Sequence, residues 1–280
     1  LKHTDLEIIG LMRWQEDQNN LSNMILKINR RERVFVEYGD LNDISSLSRI
    51  INKWKPNYVF HLGAQSYPKT SFDIPIETLQ TNIIGTANLL ESIRNIQTAD
   101  YNPTIHICSS SEVYGKTSSK DPLNENTPLH GASPYSISKI GTDFLGRFYA
   151  EAYGMKTFIT RMGTHSGKRR SDVFFESTLA KQIALIEYGF QEPILKLGNL
   201  SSIRTFQDVR DAIRAYWLLA KEVSKNKVAP GEVFNIAGTE KYRLDEVVSI
   251  MLNQSSRDDI EVVLDQERLR PIDADYQMFD

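Results

Sequence analysis

The chain contains one cysteine, no long hydrophobic run and no excess of positive charge. The single cysteine, Cys108, excludes an internal disulfide and is typical of a reducing compartment. No apolar run approaches the roughly 20 residues that a membrane helix needs. The net charge of −3, from 33 lysines and arginines and 36 acidic residues, provides no electrostatic surface for nucleic acid or an anionic membrane. These features predict a cytoplasmic protein with no nucleic-acid or membrane partner.

A glycine-rich phosphate-binding turn is also missing. In a doubly wound sheet that binds a dinucleotide, this turn follows the first strand and places the pyrophosphate at a helix N-terminus. Here Leu1-Lys2-His3 is typical of the end of that helix, and the first recognisable strand matches the second strand of such a sheet. We expect the natural protein to begin some tens of residues earlier. The alternative is a fold that never had the turn.

The chain does contain alternating strands and helices. Up to residue 163 this alternation predicts an α/β fold with a doubly wound parallel sheet covered on both faces. Residues 164–280 predict a smaller interleaved lobe, with 209–237 returning to the sheet. The predicted strands are 6–12, 33–37, 58–62, 104–108, 156–162, 194–197 and 232–236, and the predicted helices are 44–54, 75–96, 134–153, 175–189, 209–223 and 244–252.

Tyr135 and Lys139 are the first candidate catalytic residues. They lie four residues apart near the start of a predicted helix, so both project from one face. A tyrosine with an ordinary pKa of about 10 is a poor base at neutral pH. A neighbouring ammonium and an oxidised nicotinamide both lower that pKa. The pair then suits removal of a hydroxyl proton as the carbon loses a hydride. The alternative is a surface pair without a catalytic role.

The position of this helix favours catalysis. It follows a strand that ends in a serine run with Ser110 and Glu112, and ligands bind at the carboxyl ends of parallel strands. Together with other segments, these residues resemble the extended short-chain dehydrogenases that modify nucleotide sugars. The resemblance implies a Rossmann-like fold. The matching segments are Tyr38-Gly39-Asp40-Leu41, His61-Leu62-Gly63-Ala64-Gln65-Ser66, Thr81-Asn82-Ile83-Ile84-Gly85-Thr86, the serine run and the helix with Tyr135 and Lys139.

One branch of that family fits best. Ser110 and Glu112 hold the places of the residues that complete the reaction in 4,6-dehydratases, and Ser111 between them is typical of the GDP-mannose branch. Segments 164–174, 197–205 and 268–275 also resemble the GDP-mannose 4,6-dehydratases and their GDP-manno-heptose relatives. The resemblance makes 164–280 mainly a nucleotide-sugar-binding lobe.

The resemblance implies a redox-neutral dehydration, and therefore a lyase. Tyr135 takes the C4 hydroxyl proton as a hydride leaves C4, Glu112 takes the C5 proton, and water leaves C6 with a proton from Ser110 or Glu112. The hydride then returns to C6. The alternatives are a GDP-4-keto-6-deoxymannose reductase, a nucleotide-sugar 4-epimerase and a non-catalytic sugar-nucleotide sensor.

The cofactor is predicted to be NADP, with NAD as the alternative. Arg13 stands where an NAD enzyme places an acidic residue, and a cation there suits a 2′-phosphate, although a solvated arginine is possible. By resemblance the remaining cofactor residues lie in three segments. They are Asp40 and Leu41, then Leu62, Gly63 and Ala64, then His165 and Arg170, besides Tyr135 and Lys139.

Arg204 and Arg270 are predicted to clamp the diphosphate, because a guanidinium binds phosphate oxygens in bidentate fashion. Structural ion pairs are the alternative. The other predicted substrate residues are Ser66, Ser111, Glu112 and Thr164. No metal site is predicted. Surplus aromatic residues on helix 134–153, with helix 75–96, predict a homodimer or homotetramer.

Overall fold

The computed structural model describes residues 5–16, 19–117, 121–274 and 276–280. The strands are β1 (Ile8–Met12), β2 (Val34–Tyr38), β3 (Tyr58–His61), β4 (Thr104–Cys108), β5 (Lys156–Met162), β6 (Thr164–Ser166), β7 (Ile194–Leu197), β8 (Ile203–Asp208), β9 (Val233–Ile236), β10 (Lys241–Arg243), β11 (Glu261–Leu264) and β12 (Tyr276–Gln277). The α-helices are α1 (Ile25–Asn29), α2 (Ile44–Trp54), α3 (Thr70–Asp73), α4 (Pro75–Leu79), α5 (Gly85–Arg94), α6 (Pro134–Tyr153), α7 (Phe175–Glu187), α8 (Val209–Ser224) and α9 (Leu244–Leu252). Short 3-10 helices span Asn19–Met24, Ser111–Tyr114 and Gln266–Arg268, and a π-helical turn spans Gln80–Ile84.

The main sheet is parallel, with the strand order β3-β4-β5-β9. Its interior is a continuous apolar cluster that includes Leu90, Ile105, Ile107 and Ile159. Strand β4 is buried along most of its length, as expected when helices cover both faces of a parallel sheet. This architecture confirms the predicted Rossmann-like α/β class.

Strands β1 and β2 pair in parallel with each other but form a separate two-stranded sheet among the described residues. The sequence predicted one sheet. The predicted helix end at Leu1-Lys2-His3 lies outside the described residues, as does Asp275 of the segment 268–275.

The later part of the chain divides between two layers. Strand β9 joins the main sheet beside β5, and α8 packs on β4 and β5. Strands β6, β8, β10 and β12 form a mixed sheet in which β8 pairs with the other three. Helices α7 and α9 bury Leu179, Ile183 and Val248 against strand β7. Residues from 164 onwards therefore surround the carboxyl ends of the main strands, where the site lies.

Most predicted elements are confirmed, and helix 134–153 matches to the residue. Its ends have clear physical signals, because Ser133 and Ser136 form a reciprocal capping box and Gly154 ends the helix in the left-handed region. The predicted helix 75–96 differs, since the π-helical turn at 80–84 separates α4 from α5. At that turn the Asn82 carbonyl oxygen accepts from the hydroxyls of Thr86 and Thr142. Among the described residues, no helix is long and apolar enough to cross a membrane.

Candidate active site

Tyr135 and Lys139 lie in the first turns of α6, at the carboxyl end of β4. Only 8% of Tyr135 and 5% of Lys139 is exposed. The backbone N–H of Tyr135 donates to the hydroxyl of Ser71 at 3.1 Å, which fixes the start of the helix. The Lys139 Nζ donates to the carbonyl oxygen of Cys108 at 2.7 Å. Both predicted side chains are therefore held in place by the sheet and its neighbouring loops.

Burial sets the electrostatics of this pair. It raises the pKa of Tyr135, because loss of solvent around the phenolate outweighs the nearby charges of the protein. The predicted lowering of this pKa concerns the pair with an oxidised nicotinamide bound and stays a prediction. The Ser110 hydroxyl and the Arg170 guanidinium oppose this rise in the Tyr135 pKa, whereas Glu112 adds to it. Burial also lowers the pKa of the Lys139 ammonium.

Ser110 lies between the Tyr135 phenol and the backbone of Glu112. It is extended, with φ −154° and ψ 151°, and caps the 3-10 helix Ser111–Tyr114. Its hydroxyl accepts from the backbone N–H of Glu112 at 3.2 Å and also interacts with Tyr135. The four predicted catalytic residues thus come together at one strand end. A phenol, a hydroxyl and a carboxylate in this arrangement suit successive proton transfers.

A chain of ion pairs extends from Glu112 into the later part of the molecule. Arg270 Nη1 lies 3.6 Å from Glu112 Oε1 and 3.5 Å from Asp273 Oδ1. Arg204 Nη2 lies 3.7 Å from the same Asp273 oxygen. The structure therefore brings one predicted diphosphate ligand, Arg270, next to the predicted base and links the other, Arg204, to it through Asp273. Asp273 was not predicted, although the segment that contains it was recognised.

Ser111 leads to a second residue that sequence reasoning missed. Its hydroxyl donates to Gln277 Oε1 at 3.1 Å. Strand β12 places Gln277 opposite Arg204 on β8, and its side chain is buried. Its Nε2 has no hydrogen-bond partner among the described residues. Only the fold brings these residues together, since 166 positions separate Ser111 from Gln277.

The loop after β6 carries Arg170, whose charge acts on Tyr135. Arg170 donates from Nη1 to the carbonyl oxygen of His165 at 2.6 Å, and its Nε lies 2.7 Å from Glu176 Oε1. His165 interacts through Nδ1 with the carbonyl oxygen of Gly163, and burial lowers the pKa of His165. Thr164 begins β6 and pairs with β8. Of the two predicted cofactor residues here, Arg170 is close enough to influence the Tyr135 phenol.

The remaining predicted cofactor residues form a separate group. Leu41 packs over Gly63, where an added Cβ would lie 3.2 Å from Leu41 Cδ1, so glycine permits a close approach of the chain. Asp40 accepts from the backbone N–H of Asn42. Leu62 is half exposed just beyond β3, followed by partly buried Ala64 and exposed Ser66. These features fit a flat ligand lying across the strand ends.

Arg13 lies beyond β1 with its side chain 64% exposed. Its Nε donates to Glu16 Oε2 at 2.6 Å, and the nearby charges of Glu16 and Asp40 raise the pKa of the guanidinium. Arg13 and Asp40 therefore share one neighbourhood. An exposed cation with an exposed partner remains accessible to an added phosphate.

The family model described as GDP-mannose 4,6 dehydratase matches residues 1–280. The chain belongs to this family. It is 32% identical over 238 residues to the GDP-mannose 4,6 dehydratase of Drosophila melanogaster, which covers 83% of this chain and 60% of the fly protein. It is 29% identical over 216 residues to the GDP-6-deoxy-D-mannose reductase of Pseudomonas aeruginosa, covering 77% and 68%.

A solved structure shows the same fold. RMD from Pseudomonas aeruginosa, in complex with NADPH, is 27% identical with a TM-score of 0.74, and the match covers 84% of this chain and 79% of that one. The dehydratase family and the dehydrogenase-type fold predicted from the sequence are thus confirmed.

Proposed function

We propose that this protein converts a GDP-hexose into its 4-keto-6-deoxy derivative with NADP as cofactor. The observation that carries the proposal is the position of the Glu112 carboxylate, which is close enough to raise the pKa of Tyr135, so that a second base stands beside the residue that would oxidise C4. Hydroxyl oxidation alone needs only Tyr135 and Lys139. A carboxylate beside the sugar is needed when C5 and C6 also react.

The chain's own residues account for the proton transfers. Tyr135 takes the proton of the C4 hydroxyl, and Lys139 stabilises the phenolate. Glu112 takes the proton from C5, which the C4 ketone makes acidic. The C6 hydroxyl leaves as water with a proton from Ser110 or Glu112. C5 regains a proton when C6 is reduced, so the net change is the loss of one water.

The residues present fit a nicotinamide dinucleotide. Gly63 permits a close approach, Tyr135 and Lys139 lie at the strand end, and Arg13 offers an exposed cation for a 2′-phosphate. When bound, NADP+ supplies the hydride acceptor for C4 and the later donor for C6, and its positive charge favours the Tyr135 phenolate. The relative that contains NADPH supports NADP over NAD.

The substrate is proposed to be GDP-mannose or GDP-D-glycero-manno-heptose. Arg204 and Arg270 would bind the diphosphate, each exchanging a long ion pair with Asp273 for phosphate oxygens. Thr164, Ser66 and Ser111 would line the sugar side. His165 and Arg170 would support the cofactor.

The Glu112→Gln variant tests the proposal. In deuterated water the unmodified protein should place one deuterium at C5 of the keto product. The variant should still oxidise C4, which is visible as bound NADPH. Its rate of deuterium exchange at C5 should fall by about 100-fold. Glu91→Gln is the control, since Glu91 is likewise paired with an arginine but lies on α5. Unchanged C5 exchange in Glu112→Gln would contradict the proposed role.

A reductase acting on the 4-keto sugar is the second candidate, favoured by the similarity to GDP-6-deoxy-D-mannose reductase. The cofactor balance separates the two. A dehydratase needs only a catalytic amount of NADP+, and the total amounts of NADP+ and NADPH stay the same. A reductase consumes one NADPH for each product molecule.

We also propose a homo-oligomer that works in the cytoplasm. Helix α6 carries a half-exposed apolar stripe of Ile137, Phe144 and Phe148, and the adjacent 75–94 segment exposes Ile76 and Ile84. A second copy of the chain would bury both surfaces in an isologous contact. The single cysteine supports a reducing compartment. Light scattering of the purified protein measures the proposed assembly.

A further inference from the structure

A buried arginine lies behind the site in the middle of β5. Arg161 is 1% exposed and is among the largest fully buried side chains among the described residues. A guanidinium in the protein interior is unfavourable unless several acceptors surround it. An apolar residue would fill the same volume without that requirement. The contacts of Arg161 therefore call for a role beyond packing.

One set of contacts reaches the helix that carries Tyr135 and Lys139. Arg161 Nε lies 2.8 Å from Asp143 Oδ2, and its Nη2 lies 3.3 Å from Oδ1. Asp143 is fully buried and follows Lys139 by four residues and Tyr135 by eight, so all three lie on one helical face. A second cation, Arg147, also binds Asp143 at 2.7 Å. This carboxylate fixes α6 to the sheet.

The other set reaches the short helix that carries Glu112. Arg161 Nη1 donates to the Tyr114 hydroxyl at 3.0 Å and to the carbonyl oxygen of Glu125 at 2.8 Å. Since the Tyr114 oxygen accepts from arginine, its own proton goes to Asn235 Oδ1 at 2.7 Å. The Asn235 backbone N–H donates to Glu125 Oε1, which closes the network. The Tyr114 hydroxyl is thereby engaged both as donor and as acceptor.

The short helix transmits this restraint to Glu112. Tyr114 is two residues beyond Glu112 within the same 3-10 turn. Gly115 ends the turn at φ 60°, and an added Cβ there would lie 1.6 Å from the His130 carbonyl oxygen. Little freedom therefore remains between the Tyr114 hydroxyl and the Glu112 carboxylate.

We propose that Tyr114, Arg161 and Asp143 form a positioning network that sets Glu112 relative to Tyr135. This inference rests on the proposed dehydration, in which Tyr135 acts at C4 and Glu112 acts at the adjacent carbon. The two bases stand on separate elements, and Arg161 bonds directly to both elements. The network matters most for the second step, because misplacement of a base by about 1 Å can cost up to 100-fold in rate.

Tyr114→Phe tests the network, because it keeps the ring and removes only the hydroxyl. In single-turnover experiments with GDP-mannose, the Tyr114→Phe variant should oxidise C4 at a rate within about twofold of that of the unmodified protein. Deuterium incorporation at C5 should slow by about 10-fold, and NADPH should accumulate transiently. Tyr149→Phe is the matched control, since this buried hydroxyl also donates, to Glu91 on α5 at 2.7 Å. It should leave the ratio of the two steps unchanged.

The outcomes are separable. If Tyr114→Phe only lowers the melting temperature, as Tyr149→Phe does, or slows both steps equally, the positioning role is overturned. If Tyr114→Phe does not fold, Asn235→Ala removes the acceptor of the same hydroxyl and is judged by the same ratio. If the unmodified protein itself forms no C5-labelled keto product, the proposed function fails, and this inference fails with it.

Discussion

The two sides of the site are built differently. On the sheet side, the Lys139 ammonium lies 2.7 Å from its carbonyl acceptor, and Tyr135 and Lys139 are almost fully buried. On the side of the later lobe, Arg270 is 25% exposed in its side chain and its contacts with carboxylates are 3.5 to 3.6 Å long. The catalytic pair is thus buried with a short contact, whereas Arg270 is partly exposed with long contacts.

This difference follows from what each side must do. Bases act in a defined geometry, and a preorganised site avoids reorganisation during the reaction. Guanidinium groups that recognise a diphosphate have to exchange partners when the substrate binds. The long ion pairs of Arg270 with Glu112 and Asp273 suit such an exchange. The comparison predicts that substitutions on the sheet side reduce kcat, whereas substitutions on the side of the later lobe reduce substrate affinity.

The largest effect is expected from Tyr135→Phe. Loss of the phenol removes the base for C4, so kcat should fall by about 1000-fold. The Michaelis constant should change little, because the ring and the backbone bond to Ser71 remain. Steady-state kinetics with GDP-mannose and NADP+ measure both parameters, with Tyr149→Phe as the control. A loss of less than about 10-fold would contradict the assignment of Tyr135 as the base.

Arg270→Gln should produce the complementary result. Removal of a charged contact with the diphosphate should raise the Michaelis constant for the GDP-sugar by about 10- to 100-fold, and kcat should fall less. Arg268→Gln is the control, since Arg268 is an exposed arginine paired with Asp265 three residues earlier in the chain. If kcat fell while the Michaelis constant stayed the same, Arg270 would serve Glu112 instead of the phosphates, and the contrast between the two sides would disappear.

The side of the site that is built from neighbouring segments was the more predictable one. Tyr135, Lys139, Ser110 and Glu112 could be recognised because local spacing and the strand–helix order bring them together. The same local signals, a serine cap and a terminal glycine, set the bounds of α6. The rise in the Tyr135 pKa was not predicted, since it depends on burial that the fold as a whole produces.

The other side depends on contacts between distant positions. Gln277 meets Ser111 only because β12 pairs with β8, and Asp273 meets Arg204 for a related reason. In the sequence, Arg161 stands in a largely apolar strand, and nothing there indicates its partner. To predict its pairing with Asp143, one would have to know which face of α6 packs against the sheet. Sequence patterns describe periodicity within an element and do not determine which elements touch.

The smallest predicted effect concerns the sheet side alone. His106 lies on β4, fully buried, with Nε2 2.8 Å from the Thr160 hydroxyl and its ring stacked on Phe158. Burial lowers the pKa of His106 from its ordinary value of 6.5 to about 3. Between these two pH values His106 binds a proton in the unfolded chain but not in the folded protein. The free energy of unfolding therefore falls as the pH falls.

His106→Phe should therefore reduce the acid sensitivity of the fold. Urea unfolding at about pH 7 and about pH 5 measures the loss of unfolding free energy on acidification. This loss should be smaller in the variant than in the unmodified protein by about 1–2 kcal/mol. The absolute stability at neutral pH should be lower, because the bond to Thr160 is lost, so only the pH-dependent difference is compared. Substitution of the exposed His130 by Gln provides the control. An unchanged difference would mean that His106 binds protons in the folded protein as readily as in the unfolded chain, and the sheet side would then be less sealed from solvent than its short contacts indicate.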